Sequence, residues 1–403
     1  MSEHGPSAFG ASVDVLIAGG GPAGSELAWR LASSGAQVLL AERLPDLRQA
    51  AFSSAALPWS ALAQHGLPES VVAARWNGWQ LLGPGAQRRL WEAPDPLGAV
   101  LDFGLLRQWL AERARAAGAA VELGCRVRHW HPEGAGARVL LQGPGGVSRM
   151  VHCRWLVDAT GQQRALLGDP SPSRHPLVSG VGVEWLLKLD PSRCSPWADR
   201  LSFMLGSDWV PQGYGWVFPM QPGVLKLGIC RLEDQRQPQP PLQRLLLALQ
   251  RRLGLEDAEV LDRHGGLVRS SIHRREPHQR GPLLGLGDAV STANLLGGEG
   301  IRHALSSSAV LAPLLLRALD GDVSALRRYP RLLRRRLGWR WSLSGRLAQR
   351  TWLGLRGASA DRRLATLLGG LEACTAQDLS GLLFDYRFER YGLRALPYWL
   401  GMR

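Results

Sequence analysis

The chain has 403 residues, of which 45% are hydrophobic, so it can bury one large core or two linked cores. Glycine and proline are frequent but follow no period, which excludes fibrous, solenoid and disordered proteins. The chain carries 48 basic against 34 acidic residues, and most of its arginines are scattered singly, so the charge does not indicate a nucleic-acid partner.

The five cysteines are dispersed, and no two of them have C-x-x-C spacing. This pattern excludes a zinc site, an iron–sulfur cluster and a redox dithiol, so we expect no metal. Residues 1–12 are polar and lack the features of a secretory signal. No apolar run approaches the roughly 18 residues that span a bilayer. We therefore expect a cytoplasmic protein.

A strand–helix–strand unit opens the chain. Residues 14–18 are a short apolar run that ends in glycines, as a buried parallel strand does. Residues 23–34 place apolar side chains at helical spacing, Gly35 ends that helix, and residues 38–42 form the second strand. Such a unit needs a parallel sheet with helices packed on it.

The later elements repeat this design at a distance. Residues 105–117 read as an amphipathic helix, residues 120–123 and 137–142 as strands, and residues 154–161 as a strand that runs into a glycine turn. Residues 283–289 form a similar strand and turn, and a glycine-led helix follows. Residues 181–189 and 223–232, which are also strand-like, lie in a stretch richer in proline and tryptophan.

This order predicts an α/β fold (α+β overall) with three parts. We expect a discontinuous Rossmann-like cofactor domain over residues 13–45, 100–169 and 281–324. A β-rich substrate domain would comprise residues 46–99 and 170–280. A helical C-terminal segment would cover residues 325–403.

The sequence GGGPAG at residues 19–24 has the chemistry of a dinucleotide-binding turn. Gly19 permits the tight turn, Gly21 lets the backbone approach a pyrophosphate, and Gly24 lets the helix pack closely on the sheet. The helix N-terminus presents free N–H groups to the phosphates. Glu42 ends the second strand, where a carboxylate can accept hydrogen bonds from a ribose.

A second turn of the same kind lies far along the chain. Asp288 follows a strand, and GGEG at residues 297–300 precedes a helix. A carboxylate at this place suits the hydroxyls of a ribityl chain. Two separate phosphate-type turns fit one long cofactor that lies across the domain, and FAD meets that requirement.

These stretches resemble the three cofactor motifs of the p-hydroxybenzoate-hydroxylase-type flavoproteins, in the same order over roughly residues 13–320. Within that superfamily, GYGWVFP at residues 213–219 is similar to the Y-x-W-x-F-P signature of the geranylgeranyl reductase group.

The resemblance implies two sets of site residues. The set that would hold FAD consists of Gly19, Gly21, Pro22, Ala23, Gly24, Glu42, Arg43, Arg107, Gly161, Asp288, Gly297, Gly298, Gly300 and Ile301. The set that would line the substrate cavity consists of Tyr214, Trp216, Phe218 and Pro219. Residues two apart on a strand share a face, so the three aromatic residues form either one wall for a prenyl chain or a plain aromatic stripe on a buried sheet.

Two positions depart from the pattern of the superfamily. Phe103 stands where the group carries an arginine before its central helix, and Arg107 follows one turn later, where it either reaches the same phosphate or is exposed. Arg164 follows the glycine turn after residue 160 and can stand in for an arginine of the hydroxylases.

The resemblance implies an enzyme that reduces carbon–carbon double bonds of an isoprenoid substrate through reduced flavin, with NAD(P)H or ferredoxin as the reductant. Two alternatives stay open: an FAD-dependent monooxygenase or flavin-dependent carotenoid-modifying enzyme, and a flavin-fold partner protein without turnover. No catalytic residue is assigned. Glu299 and His303 are possible proton sources, although the sequence favours a structural role for each.

The segment from Arg327 to Arg350 interleaves arginines with leucine and tryptophan. It is either the solvated face of packed helices or a patch that rests on anionic lipid. The second interpretation would place the protein at the periphery of a membrane.

Overall fold

The structure is a computed structural model that describes residues 12–49, 51–234 and 236–389. The strands in these ranges are β1 (Ser12–Ala18), β2 (Val38–Glu42), β3 (Ala56–Pro58), β4 (Val72–Trp76), β5 (Gly78–Leu82), β6 (Arg88–Glu92), β7 (Gly98–Leu101), β8 (Ala120–Leu123), β9 (Arg126–Glu133), β10 (Gly136–Gln142), β11 (Ser148–Asp158), β12 (Val178–Lys188), β13 (Arg200–Leu205), β14 (Gly213–Pro219), β15 (Val224–Leu232), β16 (Glu259–Ser270), β17 (Gln279–Arg280) and β18 (Leu283–Gly285). The helices are α1 (Pro22–Ala32), α2 (Trp59–His65), α3 (Phe103–Ala116), α4 (Pro191–Cys194), α5 (Leu242–Arg252), α6 (Ile301–Leu319), α7 (Tyr329–Gly354), α8 (Gly357–Gly370) and α9 (Ala376–Leu383). The predictions that concern residues 1–11 and 390–403 lie outside the described residues.

The first strand–helix–strand unit builds the centre of a parallel sheet. Five strands run parallel in the order β8-β2-β1-β11-β18, and β17 pairs antiparallel with β18 at one edge. The predicted strands at residues 14–18 and 38–42 are confirmed as β1 and β2. The α/β fold class is therefore confirmed.

Both faces of this sheet are covered, which explains its continuous apolar strands. Helices α1, α3 and α6 pack on one face through residues such as Leu27, Ala114 and Leu315. The antiparallel strands β9 and β10 and the first half of β11 cover the other face, where Leu16 meets Val139 in one apolar cluster. Each such leucine contributes about 1.5–3 kcal/mol by leaving water, so the sheet is a firm platform.

The parallel direction determines where the predicted cofactor residues lie. The carboxyl ends of parallel strands meet at one edge of a sheet, and ligands bind in the crevice outside that edge. Gly19 follows β1, Glu42 ends β2, Gly161 follows β11 and Asp288 follows β18. The topology therefore gathers at one edge four positions that are far apart in sequence.

A seven-stranded sheet lies beside this platform, in the order β16-β12-β15-β14-β13-β5-β6. All its pairs are antiparallel except β13 with β5. The predicted strands at residues 181–189 and 223–232 correspond to β12 and β15. Strands β3, β7 and β4 form a small third sheet. The domain boundaries drawn from the sequence stay predictions.

The described part of the C-terminal segment, residues 325–389, is largely helical, as predicted. Its helices α7, α8 and α9 pack on the seven-stranded sheet, where Trp352, Leu364 and Leu379 share an apolar cluster with Trp79 and Phe218. Gly338 interrupts α7 with a φ of +82°, a conformation that glycine adopts without strain. Among the described helices, none is long and apolar enough to cross a membrane.

Candidate functional site

The glycine-rich turn after β1 has the geometry of a phosphate cradle. A Cβ on Gly24 would collide with the carbonyl oxygen of Gly19, so α1 can approach the turn this closely only with glycine at position 24. A Cβ on Gly21 would meet no heavy atom within 4 Å, so this side of the turn is open. Helix α1 begins at Pro22 without a side-chain cap, and its first N–H groups are therefore available to an anion.

Glu42 is fixed beside this cradle. Its Oε2 accepts a hydrogen bond from the Gly20 amide at 2.7 Å, and its Oε1 accepts one from the Leu44 amide at 2.8 Å. A carboxylate oxygen can accept more than one hydrogen bond, so both oxygens keep capacity for ribose hydroxyls. The neighbouring Arg43 is exposed.

Three glycine turns meet at the edge of the parallel sheet. A Cβ on Gly19 would collide with the backbone of Ala159, and a Cβ on Gly287 would lie 2.8 Å from the Cβ of Ala23. Gly161 follows with a φ of +71°. The structure therefore brings together the predicted residues of the first, second and third motifs.

Asp288 is half-buried where the third motif begins. Thr292 Oγ1 donates a hydrogen bond to Asp288 Oδ1 at 2.8 Å, and burial raises the pKa of this carboxyl group. A Cβ on Gly300 would lie 3.7 Å from Asp288 Oδ2, so the carboxylate lies next to the GGEG turn.

Arg107 lies inside the fold, and the alternative in which it is exposed is wrong. It is 6% exposed, and its Nη1 donates to the carbonyl oxygen of Gln49 at 3.2 Å. Burial lowers the pKa of Arg107, whereas the nearby Glu42 opposes that change. Phe103, in the position of the missing arginine, begins α3 and lies against the guanidinium of Arg107.

Arg164 lies inside the fold. It is 1% exposed, and its Nη2 donates to Ser291 Oγ at 2.8 Å beneath the turn. Its left-handed backbone, with a φ of +49°, turns the side chain inward.

A cavity of about 530 Å³ adjoins the GGEG turn. Gly297, Gly298, Gly300 and Ile301 form part of its lining, and Tyr214 and Phe218 of β14 form another part. The C-terminal helices cover it with leucines at positions 364, 367, 368 and 371 and with Trp352. The charged lining residues are Glu299, Arg350 and Arg363.

Trp216 and Pro219, which were predicted to bind the substrate, are not among the described residues that line this cavity. Trp216 shares the face of Tyr214 and Phe218, but its indole lies flat against Gly228 on the neighbouring strand. Its Nε1 donates to the buried Glu184 Oε2 at 2.9 Å. Burial raises the pKa of Glu184, and the indole N–H partly offsets that rise. Trp216 therefore supports the wall without being part of its surface.

A polar cluster, which we call the C-terminal clamp, joins the GGEG turn to the end of the C-terminal helices. It consists of Glu299, Arg302, His303 and Tyr386. Arg302 holds Glu299 in a bidentate pair at 2.6 and 2.9 Å, and the hydroxyl of Tyr386 donates to Glu299 Oε2 at 2.9 Å. Because that hydroxyl gives away its only proton, His303 Nε2, 3.0 Å from it, acts as the donor.

The clamp carboxylate is ionised. Burial opposes the ionisation of Glu299, but His303 and Arg302 bring its pKa down to about 2. A carboxylic acid with that pKa holds no proton at neutral pH, so Glu299 is not a proton donor. Burial also lowers the pKa of His303. The structural role that the sequence favoured for both residues agrees with these contacts.

The sequence interpretation missed the cover that the C-terminal helices form over the cavity. The signal was present, since residues 364, 367, 368 and 371 are leucines at the i, i+3, i+4, i+7 spacing of one helix face. The arginines of α7 instead favoured a solvated face or a lipid-binding patch, and neither of these interpretations includes a cavity wall.

Comparisons with known proteins agree with this geometry. The chain is 28% identical over 332 residues to a digeranylgeranylglycerophospholipid reductase of Haloferax volcanii, covering 77% of this chain and 78% of that protein. It is 28% identical over 357 residues to a menaquinone reductase of Mycobacterium tuberculosis, covering 84% and 83%.

The fold has a solved counterpart. A geranylgeranyl bacteriochlorophyll reductase-like protein from Thermoplasma acidophilum superposes with a TM-score of 0.76 at 21% sequence identity, over 94% of this chain and 98% of that chain. A sequence model of the family described as FAD dependent oxidoreductase matches residues 59–315, which is more than half of the chain. The chain therefore belongs to the FAD dependent oxidoreductase family.

Proposed function

We propose that this enzyme reduces carbon–carbon double bonds in the isoprenoid chain of a lipid, with FAD as the resident cofactor. The observation that carries this proposal is that the cavity and the predicted flavin site share the GGEG turn as a wall. One wall is the GGEG turn, and the rest is largely leucine and aromatic side chains. A long hydrocarbon can lie in such a cavity with its double bonds beside the cofactor turn.

The cofactor would lie along the carboxyl edge of the parallel sheet. We propose that the turn of Gly19, Gly21, Pro22, Ala23 and Gly24 holds the pyrophosphate and that Glu42 binds the adenosine ribose. Arg43 and Arg107 would be near this half. Gly161 and Asp288 would hold the ribityl region, and Gly297, Gly298, Gly300 and Ile301 would border the ring. When bound, reduced flavin supplies hydride, while the protein positions the substrate and excludes water.

Tyr214 is the polar group of the aromatic wall. Its hydroxyl lies at the junction of cavity and turn, since a Cβ on Gly298 would lie 3.5 Å from it. Burial raises the pKa of Tyr214 well above its usual value, so the phenol is neutral. It therefore adds no charge beside a hydrocarbon chain.

The opening of the cavity favours a substrate with an anionic headgroup. Arg350 is exposed and also lines the cavity, so it marks the opening, and Arg363 lies on the adjacent helix. Two guanidinium groups at the mouth of an apolar cavity fit a phosphate that leads into a hydrocarbon chain. The Haloferax relative is named for a phospholipid and the mycobacterial relative for a menaquinone. Two arginines at the opening of the cavity fit the phosphate of a phospholipid better than a menaquinone.

The test is anaerobic. The purified holoenzyme is reduced with dithionite, so that the natural donor, NAD(P)H or ferredoxin, does not enter the result. Geranylgeranyl diphosphate is then added. We expect reoxidation of the flavin spectrum and a mass gain of two hydrogens per reduced bond. A flavin that stays reduced would refute the proposal, and an oxygenated product in air would support a monooxygenase instead.

We further propose that helix α7 rests on an anionic membrane surface. No acidic residue occurs from position 323 to 360, whereas most arginines of α7 are exposed. Trp339 on the same helix is 66% exposed, which suits insertion at a lipid headgroup layer. Retention on phosphatidylglycerol vesicles should fall when Arg334, Arg335 and Arg336 are replaced by glutamine. Equal retention of both proteins, or equal retention on neutral vesicles, would contradict the proposal.

A further inference from the structure

A second polar cluster lies under the α7 helix, away from the cavity, and we call it the arginine chamber. It consists of Arg164, Arg274, Glu276, His278 and Trp341. All five side chains are at most 3% exposed. The residues at 274, 276 and 278 come from the loop between β16 and β17, and Trp341 comes from α7.

Direct contacts and electrostatic interactions link these side chains into one group. Arg164 Nη2 lies 3.8 Å from Glu276 Oε1, and the guanidinium carbon of Arg274 lies 4.5 Å from the indole ring of Trp341. Glu276 acts electrostatically on both arginines. The ring of His278 packs edge to face on the ring of Tyr329.

The chamber is rich in polar atoms without a hydrogen-bond partner among the described residues. All three nitrogens of the Arg274 guanidinium lack one, as do both oxygens of Glu276, both ring nitrogens of His278 and the indole nitrogen of Trp341. A buried charge without a hydrogen bond costs several kcal/mol, so native proteins rarely keep one unmatched. Such a set indicates that a further polar species completes the chamber.

The charges of the chamber residues indicate the charge of the species that completes the chamber. Arg164 and Arg274 carry two positive charges against the single negative charge of Glu276. Burial lowers the pKa of His278 to about 3, so this ring is neutral. The five chamber residues therefore carry one excess positive charge, and the unmatched donors of Arg274 and Trp341 outnumber what one carboxylate can accept. The charged groups that act on them from outside are Arg269 and Arg334 against Asp158 and Asp169, so they leave this balance unchanged.

The backbone around the chamber is strained at three non-glycine residues. Arg164, Arg274 and Ser291 all have positive φ values, between 49° and 59°, which non-glycine residues seldom adopt. They are joined by hydrogen bonds: Arg164 and the Ser271 amide both donate to Ser291 Oγ, and the Arg274 amide donates to Ser271 Oγ. Such strain persists where surrounding structure requires the side chains to point to one place.

From this geometry we infer that the arginine chamber binds a small monovalent anion, such as a halide, between the guanidinium of Arg274 and the indole N–H of Trp341. Both groups are donors only. The anion neutralises the excess charge and supplies the acceptor that Arg274 lacks. The carboxylate of Glu276 would be separated from the anion by water, with its near oxygen toward Arg164. This site is independent of the proposed reaction.

The first test is thermal unfolding of the FAD-loaded protein in rising sodium bromide at constant ionic strength, balanced with sodium gluconate. An anion that binds only the folded state raises Tm with its concentration. We expect a rise of a few degrees in the wild type and none in Arg274→Met. Trp341→Phe keeps the ring but removes the N–H, so its half-saturating bromide concentration should increase severalfold.

The matched control is Arg252→Met, which removes an arginine that lies over Trp209 at the protein surface. Its bromide response should equal that of the wild type. Crystals grown in bromide should show an anomalous peak between Arg274 and Trp341. The absence of that peak, or bromide responses that are the same in the wild type and Trp341→Phe, would overturn the proposal even if Arg274→Met fails to fold.

Discussion

The C-terminal clamp predicts a pH-dependent stability difference that isolates one carboxylate. The change is Glu299→Gln, which keeps the shape of the side chain but removes its charge. A pKa lowered from 4.5 to about 2 corresponds to about 3 kcal/mol of stability at neutral pH. Little solvent screening applies because Glu299 is 8% exposed.

The lowered pKa of Glu299 determines the pH range in which this carboxylate stabilises the fold. A carboxyl group whose pKa is lower in the folded state stabilises the fold above its unfolded pKa of 4.5, and this contribution is lost as the pH falls through about 2. The variant has no such contribution. Its free energy of unfolding should therefore lie about 3 kcal/mol below that of the wild type at pH 7, and the two should converge toward pH 2.

The measurement is urea unfolding of both proteins between pH 7 and pH 3, followed by tryptophan fluorescence. Titrating groups remote from Glu299 are common to both proteins, so their effects cancel in the difference. His303, whose pKa burial lowers and Glu299 raises, titrates together with the clamp, and its change is part of the measured difference. Each protein is measured without FAD, because a cofactor that binds the variant less tightly would add its own linkage. Stability curves that stay parallel across this range would refute the reasoning.

Three further predictions concern the turn, the cover and the opening. Gly24→Ala should lower the free energy of unfolding, because the added Cβ collides with the carbonyl oxygen of Gly19. Gly21→Ala should fold normally but lose its yellow colour and its affinity for FAD, because the added Cβ enters the open side of the cradle. Leu368→Ala should cost about 2–5 kcal/mol in urea unfolding, since this leucine is 2% exposed in the cover. Replacing Arg350 and Arg363 by glutamine should raise the KM for geranylgeranyl diphosphate tenfold or more and leave that for a neutral geranylgeranyl alcohol unchanged.

The predictions for the turn and for the opening each have an outcome that would contradict them. A Gly345→Ala control, where a Cβ also meets no atom within 4 Å but the position is remote in α7, should leave the colour unchanged and raise stability by at most about 1 kcal/mol through the helix propensity of alanine. If Gly21→Ala binds FAD like this control, the cradle is misassigned. Equal losses for the charged and the neutral substrate would show that the mouth arginines act on packing instead of on a headgroup.

The sequence predicted the parallel sheet well because its signals are local. A short apolar strand, a glycine turn and a helix with one apolar face each leave a pattern within about ten residues. Residues 38–42 form a strand with those very bounds, and the third motif precedes α6 as expected. The rule that parallel strands present their carboxyl ends together then places Glu42 and Asp288 at the same edge of the sheet without any long-range information.

The sequence could not determine the position of the Trp216 indole, because that position depends on neighbouring strands. Tyr214, Trp216 and Phe218 share a face by their spacing, but Gly228 on β15 leaves room for one indole to lie flat against the sheet. The buried Glu184 on β12 then accepts the indole N–H. Both partners are set by strand pairing, which the alternation of a single strand does not encode.

The C-terminal segment shows why composition can hide a pattern. The buried residues of α7 after its kink are at positions 341, 344, 345, 348 and 352, a helical repeat that marks one inner face. Tryptophan and small residues form that face, while arginines occupy the rest of the helix. The helix therefore has a packed side that contains Trp341 and Trp352 and an exposed side that contains most of its arginines. The same helix thus covers the cavity through Trp352, contributes Trp341 to the arginine chamber and presents its exposed arginines to whatever lies outside.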